Sequence, residues 1–189
     1  MIKALIIDLH GPIIDNFPYQ EYLKKIKEML KKNKISPDMY EEFKKEFGTI
    51  SAAMEYWRLK DQYIDVLNNL STFDNTDEEF NNLLKNSKLK LYLATDTSLV
   101  NCVNSLTAAG LSPSDFDFIV TQNDCRPKPH TDMYDILMSL NSVKSEEVIV
   151  IGDRITDVIP ADKLGLKWEI MDKPKFKNWL KNRGWDLYR

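Results

Sequence analysis

Residues 148–157 read VIVIGDRITD: four β-branched apolar residues, a glycine, an acid, and a second acid four positions on, inside a helical pattern. A short apolar run stopped by glycine reads as a buried strand, and the acids sit where strand gives way to helix. Three further runs share this shape. Residues 2–7 (IKALII) end on Asp8, residues 89–94 (LKLYLA) end on Thr95, and residues 116–120 (FDFIV) lead into the loop TQNDCRPKPH, which carries Lys128. A weaker fifth run is 167–170 (KWEI). Helical patterns at 99–109, 132–140 and 157–164 separate the later runs. Strands alternating with helices predict βαβ units, and therefore an α/β fold: a Rossmann-like parallel sheet with helices on both faces.

The first interval breaks the rhythm. Between residues 7 and 89 only helical patterns occur. Residues 19–32 place Tyr22, Leu23, Ile26, Met29 and Leu30 on one face, with lysines opposite. Pro37 opens a second segment, which Gly48 closes. A third helix is predicted over 51–70, and a fourth, acid-rich at its start, over 77–86. A parallel crossover needs only on the order of a dozen residues. The excess predicts an inserted all-helical cap at residues 16–72, with residues 1–15 and 73–189 forming the core domain. The aromatic residues Tyr56, Trp57 and Tyr63 are expected in the cap core.

Composition narrows the function classes. A chain of 189 residues buries roughly 70% of its unfolded surface, enough to fold without a metal or disulfide staple. The net charge of −3 supplies no basic field, so nucleic acid is not the expected partner. Cys102 and Cys125 are too few for a secreted disulfide scaffold and are given no role. Two histidines do not build a His-rich metal site, and His130 reads as a loop residue. The apolar start is too short for a signal segment or a membrane span, and no membrane partner is expected. These features predict a soluble, cytoplasmic protein; oligomeric state is left open.

In an open parallel sheet, ligands bind beyond the carboxyl ends of the strands. That rule gathers Asp8, Thr95, Lys128, Asp153 and Asp157 at one edge. Asp8 is a carboxylate suited to act as a nucleophile. Asp153 and Asp157 are hard oxygen donors of the kind Mg²⁺ takes alongside substrate phosphate. One Mg²⁺ and Lys128 balance the three carboxylates, and Thr95 adds a neutral donor, which together describe a phosphoryl-transfer site. Each residue also has a plainer reading. Asp8 and Thr95 suit turns or caps, Asp157 suits the first turn of its helix, and Lys128 suits a solvated loop. The Asp96 side chain either lines the site or faces solvent.

Taken in order, these residues resemble the motifs of the haloacid dehalogenase superfamily of phosphatases and related hydrolases. Asp8-Leu9-His10-Gly11 resembles Asp-x-Asp-Gly, and Thr95 the second-motif Thr/Ser. Lys128-Pro129 followed by Asp132 resembles the lysine motif, with Thr131 in place of its second proline. Gly152-Asp153 through Asp157 resembles Gly-Asp-x-x-x-Asp. The resemblance implies that Asp8 attacks a phosphoryl group of a small phosphorylated substrate. It implies Mg²⁺ held by Asp8, the His10 backbone carbonyl and Asp153, with Asp157 supporting from behind. Thr95, Asp96 and Lys128 would serve the phosphoryl group, with Lys128 also orienting Asp8. The helical insert would close over the site.

His10 stands where most relatives carry a second Asp, the general acid and base, whose contribution is typically about 10²–10⁴-fold. Three outcomes follow. His10 takes over the proton transfers, its neighbouring carboxylates favouring the imidazolium. Or only leaving groups that need no proton, such as phenolates and acyl phosphates, depart quickly. Or the chain is a catalytically weakened phospho-ligand-binding or regulatory protein. Pro12 is a second departure and stiffens the entry to the insert. Halide-displacing relatives lack the acid that Asp153 supplies, so a dehalogenase is not expected. A partner-binding module using Lys24, Lys25, Lys27, Lys31, Lys32 and Lys34, or the basic segment 173–189, is a third class; such runs are ordinarily solvated helix faces.

Overall fold

The apolar runs become β1 (Ala4–Ile7), β2 (Lys90–Thr95), β3 (Phe118–Thr121), β4 (Val148–Gly152) and β5 (Lys167–Ile170), paired in parallel as one sheet in the order β3-β2-β1-β4-β5. The structure is a computed structural model and describes residues 2–15, 19–47, 50–68, 76–140 and 143–183. β1 is central: Ile7 lies opposite Leu93 of β2 and Ile151 of β4. After β3 the chain crosses back to pair on the other side of β1, so the strand order reverses between β1 and β4. The crevice at such a reversal is the usual ligand position in open α/β sheets.

Three helices accompany the later strands: α6 (Leu99–Ala108), α7 (Asp132–Ser139) and α8 (Ile155–Lys163). Ala4 and Ile6 of β1 share a core with Met133, Tyr134 and Leu137 of α7 and Ala161 of α8. Leu5 and Ile7 alternate to the opposite side of the strand and are equally inaccessible. Burial on both sides explains why these strands are continuously apolar instead of alternating.

Before β2 runs α5 (Glu78–Lys85), capped by the Asp77 carboxylate, which accepts the Phe80 backbone N–H at 3.0 Å. After β5 comes α9 (Lys173–Arg183), a helix where the sequence shows only a basic run. Phe176, Trp179 and Leu180 bury its inner face, with the Phe176 ring 5.7 Å from Phe80 of α5. On its other side Lys177 pairs with Asp77 and Glu79 at 2.8 and 2.9 Å, and Lys181 with Glu79 at 2.6 Å. The frequent lysines obscure the helical spacing of the three apolar residues.

The chain divides into two compact units, residues 1–16 with 74–189, and residues 17–73. The second unit holds α1 (Tyr19–Lys32), α2 (Pro37–Phe47), α3 (Ile50–Tyr56) and α4 (Lys60–Asn68) around its own core of Tyr22, Ile26, Met29, Tyr40, Met54, Leu59 and Tyr63. The single helix predicted over 51–70 is two. Arg58 adopts φ 59°, Leu59 N–H bonds back to Met54, and Arg58 N–H to Glu55. This is a Schellman stop formed without glycine, fixed by Leu59 packing into the same core as Met54. Lys34, at φ 61°, ends α1 in the same manner. Gly48, the expected end of α2, and residues 69–70 lie outside the described residues. Tyr63 joins the core and Trp57 packs against it, but Tyr56 is 69% exposed, correcting its expected place inside. Among the described residues no helix is long and apolar enough to cross a membrane.

Candidate active site

The β1–β4 reversal sets the geometry. Asp8 follows β1, and its backbone N–H donates to Ile151 of β4 at 2.9 Å, which pins the start of the loop to the neighbouring strand. Asp153 follows β4 two residues later. Between them the backbone must pass unusually close. Gly11 turns at φ 100°, and a Cβ there would sit 2.3 Å from the Asp153 Cγ. A Cβ on Gly152 would sit 2.4 Å from the Asp157 Cβ. Both glycines are therefore steric requirements of the carboxylate arrangement.

Lys128 is the hub. Its ammonium is inaccessible to solvent and donates to Asp8 Oδ1 at 2.7 Å, to Asp157 Oδ1 at 2.5 Å and to the Ala94 carbonyl at 3.2 Å. Burial works against a charged amine, but Asp8 and Asp157 outweigh it and hold Lys128 protonated well above its ordinary range. The solvated-loop reading of this lysine is thus excluded. Asp157 does two jobs at once. Its second oxygen accepts the Arg154 backbone N–H at 3.1 Å, capping α8, while its own carbonyl accepts the Tyr134 hydroxyl at 3.0 Å.

Asp96 is half-buried, and its carboxylate accepts the Lys128 backbone N–H at 2.9 Å and so fastens the lysine loop to the end of β2. Burial raises its carboxyl, against the pull of Lys128. Thr95 is buried at the end of β2, and its hydroxyl accepts the Thr97 N–H at 3.3 Å. His130 is exposed in the loop. Cys102 is buried and its thiol is pushed up to about 12 by burial, which leaves it unreactive at neutral pH.

His10 departs from expectation. Burial pulls its imidazole down to about 4; Asp8 favours the charged form but does not prevail. The carboxylates do not sustain an imidazolium here.

One carboxylate oxygen from each of Asp8, Asp153 and Asp157 lies within 4.8 Å of the others. Asp8 Oδ2 and Asp153 Oδ1 are buried and accept no hydrogen bond among the described residues. Burial is the largest influence on Asp153 and raises its carboxyl, with Arg154 opposing. Carboxylate oxygens buried without a hydrogen bond are costly unless a cation stands near them. Hard oxygen donors of this kind fit Mg²⁺. Asp157, with both oxygens already engaged, has less to offer an ion directly. Arg154 has no expected part, although it lies inside the motif: its guanidinium is 3.4 Å from Asp153 Oδ1 and 3.7 Å from Asp8 Oδ2. Its place directly after Asp153 at a strand end is the signal the sequence offers.

The architecture has counterparts among solved structures. A HAD-like family hydrolase from Porphyromonas gingivalis superposes with a TM-score of 0.67 at 18% identity, covering 100% of this chain and 99% of that one. A HAD-family enzyme from Bacteroides thetaiotaomicron, a mutant solved with magnesium and inorganic phosphate, gives 0.65 at 20% identity, covering 90% and 94%. CbbY from Rhodobacter sphaeroides, a mutant solved with xylulose 1,5-bisphosphate, gives 0.66 at 18% identity, covering 89% and 85%. At these identities the likeness is one of fold. In sequence, 96 residues are 30% identical to glyceraldehyde 3-phosphate phosphatase of Methanocaldococcus jannaschii, covering 50% of this chain and 42% of that protein. This chain thus matches less than half the length of that curated relative. A family model described as haloacid dehalogenase-like hydrolase matches residues 13–170, a stretch that contains Thr95, Lys128, Asp153 and Asp157 and begins just after Asp8. On that match the chain belongs to the haloacid dehalogenase-like hydrolase family.

Proposed function

We propose that this chain is a Mg²⁺-dependent phosphohydrolase that cleaves a small phosphorylated metabolite through an aspartyl phosphate on Asp8. The observation that carries the reading is the asymmetry of the Asp8 carboxylate. One oxygen is held by Lys128, while the other accepts no hydrogen bond and lies 3.7 Å from the Arg154 guanidinium. A carboxylate fixed in this way presents one oxygen for attack with little freedom to turn.

Asp8, Asp153 and the His10 backbone carbonyl would hold the ion, with Asp157 behind them. When bound, Mg²⁺ supplies positive charge to the phosphoryl oxygens and lets an anionic substrate approach the carboxylates. Asp8 Oδ2 attacks phosphorus, and the bond from phosphorus to the leaving oxygen breaks. That oxygen departs as the alkoxide and takes up a proton from water. Water then attacks the phosphorus of the acyl phosphate, releasing inorganic phosphate and restoring Asp8. Thr95 donates to a phosphoryl oxygen, while Lys128, its three N–H bonds spent on Asp8, Asp157 and Ala94, keeps Asp8 oriented. The helical unit of residues 17–73 would act as the cap that selects the substrate. The names of the relatives, one a triose-phosphate phosphatase and one bound to a pentose bisphosphate, support a sugar-phosphate-sized metabolite. A solution enzyme of the cytoplasm suits such a substrate.

His10 supports a second reading, a weakened enzyme that binds phospho-ligands, because its imidazole is buried where relatives carry an acid. Turnover of para-nitrophenyl phosphate with and without Mg²⁺, in wild type and Asp8→Asn, tests the first reading; metal-independent activity, or activity that survives Asp8→Asn, overturns it. Under the second reading, His10→Asp raises turnover of alkyl phosphates by up to about 10²–10⁴-fold. Under the first, it changes little.

A further inference from the structure

Arg126, two residues before Lys128, and Arg154, directly after Asp153, use their guanidinium groups differently. Arg126 spends its fork on Asp132, with Nε and Nη2 each donating at 2.8 Å. Arg154 is drawn toward two carboxylates yet bonds to neither: its approaches of 3.7 Å to Asp8 Oδ2 and 3.4 Å to Asp153 Oδ1 exceed the roughly 2.7–2.9 Å of a charge-assisted hydrogen bond. Its side chain is 56% exposed, whereas Lys128 on the other side of Asp8 is wholly enclosed. Asp8 therefore lies between two cations of opposite character. Lys128 holds Oδ1 from within and has no freedom to leave. Arg154 stands beside Oδ2, with donors still available.

A phosphoryl group attacked in line by Asp8 Oδ2 sits about 3 Å from that oxygen, with its equatorial oxygens spread sideways. A guanidinium 3.7 Å from Oδ2 is within reach of those equatorial oxygens, which lie nearer Oδ2 than the leaving group does. Its planar fork matches two oxygens of a tetrahedral or trigonal-bipyramidal phosphoryl group. The charge tally agrees. Lys128 and one divalent ion already balance Asp8, Asp153 and Asp157, so Arg154 contributes a positive charge that the protein's own carboxylates at the ion do not require. An incoming dianion does. We propose, resting on the phosphohydrolase reading above, that Arg154 is a catalytic residue that clamps the equatorial oxygens of the phosphoryl group being transferred.

The experiment compares wild type with R154Q, R154K and R154A at saturating Mg²⁺, using para-nitrophenyl phosphate as substrate and orthovanadate as the transition-state mimic. Loss of the guanidinium is expected to lower kcat/KM about 10–100-fold and to weaken orthovanadate inhibition by a comparable factor, with R154K intermediate. Free guanidinium ion at non-denaturing concentration restores part of the lost rate to R154A. Mg²⁺ affinity, followed separately by calorimetry, is expected to change far less. An R154Q enzyme within twofold of wild type in both rate and orthovanadate affinity overturns the proposal. So does a defect that higher Mg²⁺ fully repairs, since the arginine would then act on the ion. A wild-type chain inactive in every condition contradicts the phosphohydrolase reading instead; orthovanadate binding by calorimetry in wild type and R154Q then decides the clamp by itself.

Discussion

Replacing Lys128 by methionine removes a cation wholly enclosed between Asp8 and Asp157, whose side chains are 3% and 1% exposed. Methionine fills much of the volume, so the main consequence is electrostatic: two carboxylates face each other with no compensating charge. Breaking a buried ion pair from one side costs about 3–5 kcal/mol. For a chain of this size each kcal/mol lowers Tm by about 2–4 °C, so Lys128→Met should lower Tm by roughly 6–20 °C. Asp157→Asn introduced into that background should recover part of the loss, because it removes one of the stranded charges. The two substitutions should therefore be non-additive by about 1–3 kcal/mol. Chemical denaturation of the four proteins of the cycle measures this, with Lys163→Met as an exposed control. A Lys128→Met protein within about 0.5 kcal/mol of that control would refute the hub assigned to Lys128.

Gly152→Ala should displace Asp157, since the added methyl would lie 2.4 Å from its Cβ; a loss of about 1–3 kcal/mol and a matching fall in turnover are expected, and unchanged turnover would contradict the packing argument. Phe176→Ala should cost about 3–5 kcal/mol in a denaturant melt, because the ring is fully buried against Phe80; a negligible loss would show that α9 is dispensable to the core. Asp77 bears on acid stability. Its slight burial raises the carboxyl, but the Lys177 hydrogen bonds prevail and hold it below its ordinary value. A carboxylate depressed in the folded state stabilises above its unfolded pKa, and that contribution is lost as pH falls through the folded value. Lys177→Met should therefore flatten the decline of Tm below about pH 4 while costing no more than about 1 kcal/mol at pH 7. An identical acid limb in both proteins would count against the pair.

The sheet is legible because its strands are buried on both faces, so IKALII, LKLYLA and VIVI stand out as continuous apolar runs without any need for periodicity. The convergence of Asp8, Lys128, Asp153 and Asp157 follows from the rule for strand ends, which requires only that the sheet be parallel. Other features depend on packing. The break at Arg58 is set by where Leu59 buries, and arginine carries no local signal for a left-handed turn. The α9 helix hides three apolar contacts among lysines whose acidic partners lie on α5 and at its cap, about a hundred residues away in sequence. The direction of the Asp96 carboxylate depends on the Lys128 backbone N–H, which only the folded loop delivers. The charge state of His10 is misread from sequence because neighbouring carboxylates are visible there, whereas the burial that overrides them is not.

The most direct measurement is mass spectrometry of the chain quenched with acid during turnover of a phosphate ester in Mg²⁺. The covalent route through Asp8 predicts a phosphoryl group on the peptide carrying Asp8, absent from Asp8→Asn and lost on longer incubation. Full turnover with no phosphorylated peptide at any quench time, together with an active Asp8→Asn protein, would contradict it.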